Sequence, residues 1–279
     1  MKDLKVGLAL GGGAARGLAH IGVLKVLEKN KIPIHIIAGT SMGAFIGGAY
    51  ASGMNAFQME EIAINTNKKV LAKMFSLAIS FSGLIDGKKI EEFLKTVLGE
   101  RNIEELEKKF ACVATDILTG EEIIINEGPL IEAIMASISI PAIFTPVYHK
   151  NRFLVDGGVV NPVPVNVAKR MGADIVIAVN VIPPFPPVFK KEKKEENKKE
   201  ESKYSPPNII SILLNTINIF EEEIIKLRLE KDKPDFLIEP DISNIKPREF
   251  YKAKEAIEAG EKAGEDIIKD IKTAIRRRC

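Results

Sequence analysis

The chain has 279 residues, which suits one large α/β domain or two small ones. Hydrophobic residues make up 46% and charged residues 28%, and a net charge of only +2 excludes a general attraction to nucleic acid. The sequence predicts neither a transmembrane helix nor a signal peptide. Its two cysteines predict no disulfide framework, so we expect a cytoplasmic location.

The order of elements in the first quarter of the chain predicts a parallel sheet. Buried strands are predicted at residues 6–10 and 34–38. Each strand ends in a glycine turn that leads into a helix, first at residues 17–30 and then up to about residue 53. This repeated order of strand, turn and helix favours parallel strands with helices on both faces of the sheet.

The later elements follow from apolar periodicity and turn residues. Helices are predicted at residues 56–67, 88–98, 103–108, 129–137, 163–171, 208–231 and 249–275. Strands are predicted at residues 110–116, 122–126, 153–155, 175–179 and 236–239, the last of them in the same sheet. Residues 186–206 are rich in Lys, Glu and Pro, so we expect a disordered charged loop there. We predict a single domain over residues 1–279, with a motif-bearing core at 6–181 and C-terminal helices and a strand at 208–279.

The second glycine turn, Gly39-Thr40-Ser41-Met42-Gly43, matches the nucleophile-elbow pattern Gly-x-Ser-x-Gly. In such an elbow the serine projects from a sharp turn between a strand and a helix, and its neighbours are small because the two elements approach closely. The N-terminus of the following helix favours negative charge beside the serine. An ordinary glycine turn with a serine that caps the helix has the same pattern, so this segment alone leaves both interpretations open.

The first glycine turn has the sequence Gly-Gly-Gly-Ala-Ala-Arg-Gly at residues 11–17. Consecutive small residues can direct backbone N–H groups at one point, which suits a phosphate or an oxyanion. A P-loop would continue with Lys-Ser or Lys-Thr, whereas Leu18 and Ala19 follow here. A dinucleotide fold would have an acidic residue near the end of the second strand, where Ser41 follows instead. Nucleotide binding is therefore disfavoured, and a tight turn without a ligand remains an alternative.

The histidines do not favour a serine triad. In the order serine, acid, histidine, only Ser41, an acid such as Asp116 and then His149 would fit, and His149 lies beside the polar hairpin tip at 150–152. We expect His20 to make a structural hydrogen bond and His35 to occupy a core or sheet position.

Asp156 is the better candidate for a base. It follows a short apolar strand and precedes Gly157-Gly158, and glycines let another backbone or a substrate come close. An Asp-Gly-Gly turn is common in itself. Asp156 becomes a candidate base only together with the glycine loop and the Gly-x-Ser-x-Gly turn.

Together these segments resemble the patatin-like phospholipases, particularly the bacterial single-domain members. That family carries a glycine loop ending in Arg/Lys-Gly, then a Gly-x-Ser-x-Gly elbow, and an Asp-Gly-Gly or Asp-Gly-Ala motif in the second half. The motifs occur here in that order at residues 12–17, 39–43 and 156–158, and residues 19–24, 136–141 and 161–164 are similar too. The resemblance covers about residues 6–181 and implies a three-layer α/β/α patatin-like fold with a mostly parallel central sheet and a Ser-Asp dyad.

The resemblance also implies a function: a serine hydrolase that cleaves fatty-acyl ester bonds of lipids or phospholipids, with no metal or other cofactor. It implies Ser41 as the nucleophile, Asp156 as the base, and the backbone of Gly12, Gly13 and Ala14 as the oxyanion hole. The supporting motif residues are Arg16, Gly17, Gly39, Gly43, Gly157 and Gly158. The expected partner is a lipid or acyl-ester substrate, with peripheral membrane contact; no oligomeric state is predicted. The alternative is a catalytically weak regulatory protein with the same fold.

One position departs from the family pattern. Aligned on Arg16-Gly17, Ala14 stands where the family has the third glycine of the loop. Alanine keeps its N–H, but its methyl group disfavours a positive φ. We interpret the substitution as tolerated.

For each of three further segments, the sequence is consistent with two interpretations. Residues 70–85 are largely apolar and are either a lid or acyl-chain wall, or a core helix. The helix at 208–231 either packs within the molecule or contacts a membrane or another subunit. Residues 276–278, three arginines, either bind anionic lipid or form a solvated terminus.

Overall fold

Buried apolar strands form one eight-stranded sheet in a computed structural model that describes residues 4–65, 87–184 and 209–278. The strands are β1 (Val6–Leu10), β2 (Ile36–Thr40), β3 (Lys109–Asp116), β4 (Glu122–Ile125), β5 (Val147–His149), β6 (Arg152–Asp156), β7 (Ile175–Val179) and β8 (Phe236–Ile238). Their order is β5-β6-β3-β2-β1-β7-β8, with β4 also paired to β3. The five strands from β3 to β8 in this order pair in parallel, whereas β4, β5 and β6 pair antiparallel.

Helices cover both faces of the sheet. They are α1 (Ala19–Lys29), α2 (Met42–Ala51), α3 (Ala56–Asn65), α4 (Lys88–Leu98), α5 (Leu130–Ile138), α6 (Val165–Arg170), α7 (Ile209–Asp232) and α8 (Ala253–Arg278). Among the described residues, no helix combines the length and apolar character that spanning a bilayer requires.

Alternation along the strands separates the two layers. In β1, Leu8 and Leu10 belong to the larger core cluster, which includes residues of α1 to α5 and α8. Ala9 between them belongs to the smaller cluster, together with Ala38 of β2, Ala111 of β3 and residues of α6 and α7. The predicted three-layer α/β/α architecture with a mostly parallel sheet is therefore confirmed.

Strand β3 determines where the motifs meet. On one edge, Cys112 to Thr115 pair with β4. Since β4 occupies that edge along this stretch, β2 and β6 share the opposite edge: Thr40 pairs with Val113, and Asp156 pairs with the next residue, Ala114. The C-terminal ends of β2 and β6 thus meet along β3. Ser41, which follows Thr40, and Asp156, which terminates β6, are therefore brought together.

Most predicted elements are confirmed, some with shifted ends, but residues 103–108 are not a helix. Only Ile103–Glu105 form a single 3-10 turn. A capping box between Asn102 and Glu105 begins this turn, and it goes no further because the backbone of Leu106 is extended. Strand β5 had no counterpart in the sequence analysis, although the expected hairpin tip is present between β5 and β6. The predictions for residues 70–85 and 186–206 lie outside the described residues, and the single-domain assignment remains a prediction.

Candidate active site

Ser41 lies in the turn between β2 and α2, in a backbone conformation that is rare for a residue with a side chain. Its φ is 53° and its ψ is −120°. The Ser41 N–H donates a 2.9 Å hydrogen bond to the Ser137 hydroxyl, which itself donates to the Val113 carbonyl at 2.7 Å. Ser137 therefore links the strained turn to β3. This role of Ser137 could not be predicted from the sequence, because a serine within a helix does not reveal which backbone group it will bind.

Two glycines permit the tightness of this turn. A Cβ atom on Gly43 would lie 2.0 Å from the Leu10 carbonyl oxygen, and one on Gly39 would lie 2.5 Å from the Gly43 carbonyl oxygen. Both distances are far shorter than any van der Waals contact, so a side chain at either position would displace α2 from the sheet. The pattern Gly-x-Ser-x-Gly is thus explained by the close approach of α2 to β1 and β2.

Asp156 terminates β6 and contacts Ser41 directly. The Ser41 hydroxyl donates a 2.6 Å hydrogen bond to Asp156 Oδ2, and the Gly158 N–H donates a 2.8 Å hydrogen bond to Oδ1. Both side chains are buried, with Ser41 7% and Asp156 5% exposed. The backbone of Asp156 is also fixed, because its N–H donates to the Ser139 carbonyl and its carbonyl accepts from the Thr115 hydroxyl, each at 2.9 Å.

Burial makes Asp156 a stronger base than an ordinary aspartate. It raises the pKa of Asp156 to about 6, although the hydrogen bonds from Ser41 and Gly158 act in the opposite direction. A carboxylate with such a pKa is ionised at neutral pH and still has appreciable affinity for a proton. These are the two properties that a general base needs.

The glycine loop lies against Ser41, and its N–H groups differ in availability. A Cβ atom on Gly12 would lie 3.3 Å from the Ser41 Cβ. The Gly12 N–H, however, donates a 3.0 Å hydrogen bond to the Pro162 carbonyl, so it anchors the loop in this structure. The N–H groups of Gly13 and Ala14 have no acceptor among the described residues. Gly13 and Ala14 therefore remain the candidate donors for an oxyanion.

Ala14 has the positive φ that its methyl group disfavours, with a value of 49°. We therefore predict that Ala14→Gly raises the free energy of unfolding by about 1 kcal/mol, because glycine adopts this conformation without strain. Urea denaturation measures the difference. The matched control is Ala15→Gly, since buried Ala15 lies in the 3-10 helix Ala14–Leu18 and should lose about 1 kcal/mol. Equal changes in both variants would contradict strain at Ala14.

Arg16 and Ala15 attach the glycine loop to the segment that precedes α8. The Arg16 Nε donates a 2.7 Å hydrogen bond to the Ile245 carbonyl, and the Ala15 N–H donates to the Pro247 carbonyl at 2.9 Å. Burial lowers the pKa of Arg16, while the negative charge of Glu221 raises it. These contacts support a role for Arg16 in orienting the glycine loop.

The histidines lie outside any triad. His149 interacts with Glu132 at 2.7 Å, and Asp116 is paired with Arg152 at 2.9 Å. The alternative of a Ser41–Asp116–His149 triad is therefore wrong, because the antiparallel hairpin carries His149 to the sheet edge.

The other two histidines have structural contacts. His20 forms the expected structural hydrogen bond, since its Nε2 lies 2.7 Å from the Gly11 carbonyl oxygen. Burial lowers the pKa of His20 to about 4, so the ring is neutral, and its buried Nδ1 has no hydrogen-bond partner among the described residues. Of the two positions expected for His35, the sheet position is confirmed and the core position is wrong. His35 is exposed just before β2, its N–H donates to the Val6 carbonyl and its carbonyl accepts from the Lys109 N–H, and its Nδ1 accepts from the Val6 N–H at 3.0 Å.

A cavity of about 1360 Å³ opens beside Ser41 and Asp156. Apolar side chains of α2, α3 and α4 form much of its wall, including Phe45, Met59, Phe93 and Leu94. Charged and polar groups of α7 and residues 243–251 also contribute to the lining. The sequence showed the apolar faces of these helices but not that they surround a space rather than fill the core.

The fold and the site place the chain in the class of α/β proteins that carry a serine at a strand-to-helix elbow. The family model described as patatin-like phospholipase matches residues 8–169. The chain belongs to the patatin-like phospholipase family.

Its relatives are mostly longer proteins. An uncharacterized NTE family protein of Mycobacterium tuberculosis is 37% identical over 177 residues, which is 63% of this chain and 49% of the relative. A second such protein of that organism is 32% identical over 275 residues, covering 92% of this chain and 45% of the relative. Lysophospholipase NTE1 of Candida albicans is 28% identical over 96% of this chain and 20% of its own length. The chain thus spans about half or less of these relatives.

A solved structure has a similar fold. The crystal structure of VipD from Legionella pneumophila matches with a TM-score of 0.53 at 13% identity, covering 95% of this chain and 67% of that one. At this identity the likeness concerns the fold alone.

Proposed function

We propose that this protein hydrolyses fatty-acyl ester bonds of lipids, with Ser41 as the nucleophile and Asp156 as the base. The observation that carries the proposal is the 2.6 Å hydrogen bond from the Ser41 hydroxyl to Asp156 Oδ2 in the wall of a largely apolar cavity. Membership of the patatin-like phospholipase family supports the same chemistry.

The reaction proceeds in two halves. Asp156 accepts the hydroxyl proton as Ser41 Oγ attacks the ester carbonyl carbon, and the carbonyl oxygen takes the negative charge. The N–H groups of Gly13 and Ala14 and the N-terminus of α2 stabilise that oxyanion. When the intermediate collapses, the alcohol leaves with the proton from Asp156, and the acyl group remains on Ser41. Water then attacks the acyl-serine, Asp156 accepts its proton, and the fatty acid leaves as Ser41 regains a proton.

The cavity supports an acyl chain of a phospholipid or lysophospholipid as the substrate. Its apolar wall suits a hydrocarbon chain, since burial of each methylene contributes about 0.8 kcal/mol. Arg16, Lys246 and Arg248 line the same cavity, and cationic groups of this kind bind a phosphodiester. In a phospholipid, the carboxylic ester lies between the acyl chain, which would contact the apolar wall, and the phosphodiester, which would contact the cationic side chains. Cleavage of that ester is a phospholipase A-type activity.

Fatty-acid release from a panel of esters tests the proposal. The panel consists of p-nitrophenyl butyrate, lysophosphatidylcholine and phosphatidylcholine, each incubated with the wild type and with Ser41→Ala as the blank. Release by the wild type above the blank supports a hydrolase, and its distribution over the panel gives the substrate preference. If the two proteins release equal amounts from every ester, the regulatory alternative holds.

We also propose that α7 contacts a lipid surface. Ile212, Leu213 and Phe220 of this helix are 44%, 43% and 61% exposed, while Leu214 and Ile217 of the same helix line the cavity. The helix thus presents apolar side chains to the outside beside a cavity suited to lipid. The expected cytoplasmic location remains a prediction, with the protein at the membrane periphery.

Phe220→Ser is predicted to weaken binding to phosphatidylcholine vesicles by about tenfold, because burial of a phenylalanine side chain contributes about 1.5–3 kcal/mol. Co-sedimentation over a range of lipid concentrations measures this. Leu118→Ser is the matched control, since Leu118 is 76% exposed on the turn after β3 and does not line the cavity. Equal vesicle binding by both variants would contradict a contact through α7.

A further inference from the structure

A second carboxyl group lies beside Asp156. Glu221 of α7 lines the cavity that also contains Ser41 and Asp156. One Glu221 carboxyl oxygen is 2.3 Å from the point where a Cβ atom of Gly158 would stand, and Asp156 Oδ1 is 3.1 Å from the same point. The two carboxyl oxygens are therefore no farther apart than the sum of these distances. Only the absence of a side chain at Gly158 lets Glu221 come so close.

Helix α7 is fixed to the turn after Asp156, so this proximity is built into the fold. Arg228 donates a 3.0 Å hydrogen bond to the Val160 carbonyl and lies 3.6 Å from the Glu122 carboxylate. Ile225, one turn beyond Glu221, is only 5% exposed in the smaller core cluster. Asp156 and Arg16 are the charged groups that act on the Glu221 carboxyl.

The charged groups around Glu221 have opposing effects on it. Burial, and to a smaller extent the negative charge of Asp156, raise the pKa of Glu221, whereas Arg16 lowers it, and the result is a pKa of about 8. Lys246 and Arg248 line the same cavity. On its own helix, Glu222 and Glu223 are paired with Lys226 at 2.9 and 2.7 Å, and Arg228 binds Val160 and Glu122.

The position of Glu221 relative to Asp156 sets the direction of its influence. Ser41 binds Oδ2 of Asp156, whereas Oδ1, the other oxygen, lies on the Gly158 side, where Glu221 approaches. When Ser41 attacks, negative charge moves from Asp156 through Ser41 to the carbonyl oxygen of the substrate. That movement carries charge away from Glu221. An ionised Glu221 therefore stabilises the state in which Asp156 has accepted the Ser41 proton, relative to the state in which Asp156 is still ionised.

We propose that Glu221 is a positioning residue that acts through Asp156: its negative charge strengthens Asp156 as the base and speeds the attack of Ser41. The inference rests on the proposed function, because it concerns the same proton transfer. It predicts two ionisation steps in the pH profile of kcat. The first, near pH 6, is the ionisation of Asp156, and the second, near pH 8, is that of Glu221.

The test compares kcat from pH 5 to pH 9.5 for the wild type, Glu221→Gln and Glu223→Gln, with the Ser41→Ala rate subtracted. Glu223 is the matched control, because its side chain is 63% exposed and paired with Lys226. We expect Glu221→Gln to lose the second rise and to be about three- to tenfold slower than the wild type at pH 9, with rates within about twofold of each other at pH 7. This magnitude corresponds to a Brønsted slope of about one half acting on a 10- to 100-fold change in basicity.

Glu221→Asp, which keeps the charge, is expected to retain part of the second rise. A wild type without a second rise, or a Glu221→Gln variant that keeps it, would overturn the inference. Lack of hydrolysis by the wild type at every pH would instead reject the proposed function itself.

Thermal unfolding separates this role from a structural one. The folded pKa of Glu221 lies above its unfolded value of 4.5, so the wild type loses stability as pH rises from about 4.5 to about 8. Glu221→Gln lacks this loss, and its Tm should equal that of the wild type below pH 4.5 and exceed it at pH 8. A lower Tm at both pH values would show that glutamine disrupts the packing, and Glu221→Asp then decides the inference through its pH profile.

Discussion

Replacement of Ser41 by alanine is expected to reduce kcat for p-nitrophenyl ester hydrolysis by about 10⁶-fold, the order found when a serine nucleophile is removed. The change deletes the only atom that forms a bond to the substrate in the proposed reaction. Alanine keeps the backbone N–H that binds Ser137, and its side chain adds no volume to the turn. The variant should therefore fold, and its circular dichroism spectrum should match that of the wild type.

A fluorophosphonate probe provides a second measurement on the same variant. The wild type should be labelled at Ser41, and Ser41→Ala should remain unlabelled. Ser243→Ala is the matched control, because Ser243 lines the same cavity but its hydroxyl binds Asp241 at 3.1 Å. Labelling of Ser41→Ala to the wild-type extent would place the nucleophile elsewhere and remove the basis of the proposed reaction.

Much of this fold could be predicted from the sequence because its central strands are buried on both faces. Residues 6–10 and 175–179 are continuous apolar runs, and the structure has β1 and β7 with the same bounds. The turn around Ser41 could also be predicted from the sequence, because the close backbone contacts of a serine elbow require glycine at positions such as Gly39 and Gly43. The pairing of Ser41 with Asp156 was expected from the resemblance to the patatin-like phospholipases.

The rest depends on tertiary contacts that leave no local pattern. Amphipathic periodicity shows that α3 and α4 have an apolar face, but the same periodicity serves a packed core and the wall of a cavity. The helix predicted at residues 103–108 is replaced by a single turn, because the backbone is extended at Leu106 and β3 begins at Lys109. Glu221 belongs to a run of three glutamates that resembles any solvated helix face, and only the position of α7 over Gly158 distinguishes it.

Asp156→Asn is expected to lower kcat by about 10²–10⁴-fold, the range for loss of a general base. Asparagine has nearly the same shape, and its carbonyl oxygen can still accept the hydrogen bond that the Gly158 N–H gives to Oδ1. Its amide group cannot take the Ser41 proton. Steady-state kinetics at pH 8 measures the loss. Asp116→Asn is the matched control, because Asp116 is a buried aspartate paired with Arg152 rather than with Ser41, and its kcat should stay near the wild-type value.

The same two variants should change stability in opposite directions. The folded pKa of Asp156 is raised above the unfolded value of 3.8, so its ionisation destabilises the native state as pH rises from about 4 to 6. Asp156→Asn avoids this and should be more stable than the wild type by up to about 3 kcal/mol at pH 8, with no difference below pH 4.

For Asp116, burial raises the pKa, but hydrogen bonds from Leu118, Thr119 and Arg152 outweigh it and hold the pKa below its usual value. Asp116 therefore stabilises the native state above the unfolded pKa, and Asp116→Asn should be less stable at pH 8. A decrease in stability for Asp156→Asn at pH 8 would mean that the ionised Asp156 carboxylate stabilises the native state. The proposed base does the opposite: its surroundings disfavour the ionised form, so the protein should become more stable when that charge is removed.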